Sequence, residues 1–103
     1  NPKSMNEKLI NDSNLHDLAI TLRALSHPMR IQIMKLVDKN KMMNVSQIQH
    51  ILKIEQAAVS HHLNLLKNVK VLKSKRNGKN VEYTMVEGVI ERLEKAIELL
   101  LKK

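Results

Sequence analysis

The stretch "QAAVSHHLNLLKNVKVLKSKRNGKNVEYT", residues 56–84, decides how this chain is read. Val59, Leu63 and Leu66 recur at three- and four-residue steps, the spacing of one apolar stripe along a helix from about Glu55 to Asn68. The opposite face then carries Ala57, Ser60, His61, Asn64 and Lys67, with Gln56 near its start. Two strand-like runs follow, Val71 to Arg76 and Lys79 to Met85, divided by Asn77-Gly78. Asn-Gly favours a type I′ hairpin, because both central residues of that turn need positive φ. In that register Arg76 faces Lys79, Ser74 faces Val81, and Lys73 faces Glu82 as a favourable cross-strand pair.

Adjacent His61 and His62 are compatible with metal binding, proton transfer or contact with nucleic acid. Neighbouring residues on a helix point about 100° apart, so the two rings leave in different directions. Helical zinc sites pair histidines at i and i+4, which this spacing does not provide. His62 follows Val59 by three residues and falls on the edge of the buried stripe. There it is expected to pack and to hydrogen-bond to backbone or phosphate.

Working outward, the upstream chain reads as three helices. Leu15, Leu18, Ala19, Leu22 and Leu25 mark the first, with Asp12 or Ser13 available as its cap. The second opens at "SHPMR", with Ser26 or His27 at the cap and Pro28 in the first turn, where a missing N–H costs nothing. Ile31, Ile33, Met34 and Val37 are its expected buried stripe. After "DKNKMMN", the run "VSQIQHIL" forms a short third helix with Ser46 as the expected N-cap. Downstream, a last helix from about Glu87 carries Val89, Ile90, Leu93, Ile97 and Leu100, with Glu91–Lys95 and Glu98–Lys102 pairs outside. Two helices joined by a tight turn, then a hairpin, make a winged helix-turn-helix: mainly α, ordered α-α-α-α-β-β-α.

The 103 residues fit one domain, 1–103, of a size often completed by oligomerisation. The absence of cysteine excludes disulfides, thiolate metal sites and thiol nucleophiles, and fits a reducing cytoplasm, the expected location. No apolar run approaches the length of a membrane span, and no secretory leader pattern opens the chain. Tyr83 is the single aromatic residue, which argues against single-strand binders that stack bases on aromatic platforms. Catalysis finds no support: the only glycines are Gly78 and Gly88, and the His, Ser and acidic residues suggest no pocket.

Net charge is +8, and its distribution says more than the total. Residues 53–79 hold seven basic side chains against Glu55, whereas residues 87–103 balance four against four. A basic half beside a neutral half suits a polyanion, although a solvated face would look the same. Short polar side chains on a slim helix suit the major groove, where Gln and Asn bond adenine and Ser or His reaches guanine or phosphate. Repulsion between Arg76 and Lys79 would be relieved by backbone phosphates, or else these cations simply guard a strand edge.

"ALSHPMRIQIMKLV" (24–37) resembles the second helix of the ArsR/SmtB family of bacterial winged-helix repressors, which commonly opens Leu-x-x-Pro-x-Arg. "QAAVSHHLNLLKNVKVLKSKRNGKNVEYTM" (56–85) resembles that family's recognition helix and wing. The similarity runs over roughly residues 15 to 100. It implies a homodimer that binds double-stranded DNA at a near-palindromic operator, its first and last helices, about 13–25 and 87–102, pairing across the two-fold axis. The implied DNA-facing residues are Gln56, Ala57, Ser60, His61 and His62, with Arg76 and Lys79 on the wing. The helix face and charge pattern add Asn64, Lys67 and Lys75. The expected dimer face is Leu15, Leu18, Leu22, Ile90, Leu93, Ile97 and Leu100.

Where many members have glycine flanking the recognition helix, this chain has Lys53 and Lys70, so that either these lysines adopt a left-handed conformation at some cost or the turns differ slightly. Metal-sensing members use cysteines near the third helix, or Asp, His and Glu on the last. Here there is no cysteine, and residues 87–103 lack histidine. Neither a metal nor another cofactor is expected, and the effector is left open. A competing reading is a winged helix whose basic face binds an acidic protein.

Overall fold

The computed structural model describes residues 12–101, with side chains described for residues 16–95, 97, 98 and 101. Helices α1 (Asp12–Leu25), α2 (Pro28–Asn40), α3 (Val45–Leu52), α4 (Gln56–Asn68) and α5 (Val89–Leu101) accompany strands β1 (Met43–Asn44), β2 (Leu72–Asn77) and β3 (Asn80–Met85). This is the winged helix-turn-helix that the sequence pattern predicts, with one added strand.

Local chemistry sets the helix ends. Pro28 occupies the first turn of α2, and the His27 ring caps it, Nδ1 accepting from the Met29 amide at 3.1 Å. For α3 the expected cap, Ser46, is displaced by Asn44. Asn44 Oδ1 accepts from the Gln47 amide and Gln47 Oε1 accepts from the Asn44 amide, each at 2.9 Å. This reciprocal capping box satisfies two N–H groups at once, which a lone serine inside the helix does not.

Both flanking lysines are left-handed. Lys53 (φ 56°, ψ 45°) ends α3, and its amide bonds the Gln49 carbonyl at 2.8 Å. Lys70 (φ 62°) follows α4. The Lys70 amide reaches the Lys67 carbonyl at 3.0 Å and the Val71 amide reaches the Leu66 carbonyl at 2.9 Å, a complete Schellman closure. Val71 and Leu66 are both buried, so the turn is also fastened by apolar packing. Lys41, at the end of α2, has φ 72° and ψ −41°.

The sheet runs β1-β3-β2, antiparallel throughout. Its hairpin turn lies one residue later than the Asn77-Gly78 expectation, which moves every cross-strand partner by two. Asn77 pairs with Asn80, so Gly78 and Lys79 form the two-residue turn; Arg76 faces Val81 and Lys75 faces Glu82. Only the first central residue, Gly78, has positive φ (64°), the pattern of a type II′ turn. Lys73 therefore stands opposite Thr84, not Glu82.

One core joins these elements. Ile33 and Val37 of α2, Met43 of β1, Ile48 of α3, Val59, Leu63 and Leu66 of α4, Leu72 and Tyr83 of the sheet, and Val71 and Val89 beside it are buried together. Burying an aliphatic side chain of this size contributes about 1.5–3 kcal/mol. Ile31, expected in the stripe of α2, is 40% exposed, because the helix turns only Ile33 and Val37 fully inward. The core fixes α4 from beneath and leaves its outer face free.

Candidate nucleic-acid interface

Helix α4 is held by Val59, Leu63 and Leu66, each without exposed surface. The 3.6-residue repeat then forces Gln56, Ala57, His61, Asn64 and Lys67 outward, and all five are exposed; Ser60 is half-buried at the margin. These residues form one continuous polar strip. Beyond α4, the wing presents Lys75, Arg76 and Lys79, also exposed.

The register sorts the wing cations by face. Cross-strand partners share a face, so Leu72, Ser74 and Arg76 lie with Met85, Tyr83 and Val81 on the core side, and Arg76 projects where the core has ended. Lys73 and Lys75 lie on the outer face with Thr84 and Glu82. Glu82 thus offers its negative charge to Lys75, while Arg76 and Lys79 face no acid across the hairpin.

His62 separates from the other nine residues expected to face DNA. It is 8% exposed and lies under the helix. Its Nδ1 accepts from Arg30 Nε at 3.2 Å, and the same guanidinium donates through Nη1 to the Ala24 carbonyl at 3.0 Å. The His27 and His61 rings lie 4.8 and 5.8 Å from the His62 ring, both tilted. Burial, followed by the neighbouring His27, Arg30 and His61, pushes the His62 pKa below the ordinary histidine value. Unlike the other residues expected to face DNA, His62 has its ring engaged inside the fold, with a side chain rather than backbone or phosphate as its partner. Arg30 was not anticipated as its partner, nor Ala24 as the second acceptor of the Arg30 guanidinium. The available signal was Arg30 itself, the closing residue of the Leu-x-x-Pro-x-Arg pattern.

On the expected dimer face, Leu18, Leu22, Ile90 and Leu93 are half-buried, and Ile90 and Leu93 already pack against the chain's own core. Ile97 is 43% exposed, and on the same two helices Ile20 and Leu101 are 40% and 78% exposed. The Leu15 and Leu100 side chains lie outside the described residues. Among the described residues, no three His, Cys, Asp or Glu side chains come together to hold a metal ion, and no helix is long and apolar enough to cross a membrane.

Comparison with known proteins agrees with this geometry. The model of the bacterial regulatory protein arsR family matches residues 27–74, from the cap of α2 into the wing. Transcriptional repressor PagR of Bacillus anthracis is 42% identical over 84 residues, covering 78% of this chain and 84% of that protein. Transcriptional repressor SdpR of Bacillus subtilis is 32% identical over 69 residues, covering 67% and 76%. The crystal structure of PagR superposes with a TM-score of 0.69 at 39% identity, covering 85% of this chain and 97% of that one.

Proposed function

The chain belongs to the arsR family of bacterial regulatory proteins and is a DNA-binding transcription regulator, not an enzyme, and on that premise we propose that it is a dimeric repressor of a near-palindromic operator. The observation that carries this reading is the exposed polar strip of α4 lying beside a wing whose Arg76 and Lys79 face no acid. Gln56, Ser60, His61 and Asn64 read base edges in the major groove, where each well-made contact is worth about 1–3 kcal/mol of discrimination. Lys67, Arg76 and Lys79 bind phosphates, and Lys75 contributes less because Glu82 faces it. Ala57 fits close to the base edges by being small. Exposed Ile20, Ile97 and Leu101 support a second copy packed on α1 and α5, which would set two α4 helices on successive major grooves.

Repression is inferred from relatives named as repressors. The test is selection of bound fragments from random duplex DNA by the purified protein, followed by binding at low and high salt. A single enriched, two-fold symmetric sequence retained at the higher salt is the expected result. Capture of an acidic protein in preference to any duplex would favour an interaction module instead.

A further inference from the structure

The Arg30 guanidinium is the meeting point of three helices. It belongs to α2, donates through Nη1 to the last turn of α1 at the Ala24 carbonyl, and donates through Nε to His62 of α4. Arginine has only donors, so His62 Nδ1 must carry a lone pair for this bond to exist. A neutral ring with its proton on Nε2 meets that condition. A protonated ring turns Nδ1 into a second donor and faces it against a permanent cation.

We infer that Arg30 is a positioning residue for DNA reading, setting α4 through His62, and that protonation of His62 releases this hold. The inference rests on the assignment of α4 as the reading helix. His62 precedes the exposed strip residue Asn64 and follows Ser60 and His61, so a shift at its ring is passed directly to the side chains that meet the bases.

The surroundings make the junction sensitive to acid. From α2, His27 and Arg30 face the ring; from α4, His61 does; α1 contributes the uncharged Ala24 carbonyl. Every charged or titratable group named here is basic, so none compensates an added proton. With the His62 pKa held below its ordinary value, chiefly by burial, the neutral ring is the resting form at neutral pH. The sign follows from linkage: the folded state binds fewer protons than the unfolded one. The His62 contribution is fully present above the ordinary value of about 6.5, and is lost as pH falls through the lowered one.

The experiment measures binding to a duplex enriched from random DNA by the wild-type protein, and to a scrambled duplex, at about pH 7.5 and about pH 5.5. Wild type should lose its preference for the enriched duplex by about fivefold or more on acidification, the low end of a coupling between sites. His62→Asn keeps an acceptor in place of Nδ1 but cannot titrate, and should hold its preference at both values. His27→Asn keeps the α2 cap and should still respond to acid. Arg30→Gln should show reduced preference at both values. Imidazole nitrogen spectra of the unmodified protein give a reading that depends on no variant folding: the His62 Nδ1 should be unprotonated at neutral pH and gain its proton in step with the fall in preference. A wild-type preference unchanged by acid, or one that falls equally in His62→Asn, overturns the inference. Failure to enrich any duplex at neutral pH would instead overturn the assignment of α4 as reader.

Discussion

Asn44 stands opposite Glu82 in the sheet while its side chain caps α3, so one residue ties the helix-turn-helix to the central strand of the wing. The position of the wing relative to α4 therefore depends on a two-residue strand.

Replacing Asn44 by Ala removes the Gln47 amide's acceptor and leaves Gln47 Oε1 to hold the strand alone. A lost N-cap of this type costs about 1 kcal/mol. Urea unfolding of Asn44→Ala should show that loss as a lower midpoint with an unchanged slope. A midpoint equal to wild type would mean that the box carries no net stability.

Lys53 and Lys70 hold left-handed conformations that a Cβ disfavours by about 1–2 kcal/mol. Glycine removes that clash but adds about 0.5–1 kcal/mol of unfolded-state entropy. Lys53→Gly and Lys70→Gly should each stabilise by about 0.5–1 kcal/mol on this difference, raising Tm by a few degrees. Lys53→Ala, which retains the Cβ, should melt close to wild type. A lower Tm for both glycine variants would show that the lysine side chains contribute contacts worth more than the strain.

Those two lysines also show what the sequence makes legible. Helical periodicity exposed all five helices and the face of α4 that points outward, because burial acts every three to four residues over several turns. The family resemblance, not the periodicity, pointed to Lys53 and Lys70, where many members have glycine. The hairpin register was not legible. Asn77-Gly78 and Gly78-Lys79 both make two-residue turns, and both registers keep Leu72 and Tyr83 on one face, so the apolar pattern does not distinguish them. Strand β1 is too short to show alternation. His62 sits on the border of a stripe, where spacing gives a direction but not the partner that Arg30 supplies across 32 residues of sequence.

Ile20 and Ile97 are large apolar side chains left partly in water on α1 and α5. Since neither belongs to the buried core, Ile20→Glu and Ile97→Glu should fold yet shift sedimentation from dimer to monomer. Permanent interfaces are apolar, and a charge placed in one is strongly disfavoured. Wild-type protein sedimenting as a folded monomer at micromolar concentration would contradict the dimer.

The division between reading and holding is tested most directly by the affinities of wild type, His61→Ala and Arg76→Ala for enriched and scrambled duplexes across a salt series. His61→Ala should lose preference for the enriched duplex, by about 1–3 kcal/mol, with its salt dependence nearly intact. Arg76→Ala should weaken both duplexes alike and lower the salt slope by about one unit. If His61→Ala keeps the wild-type preference while Arg76→Ala abolishes it, α4 is not the reading element and the wing is.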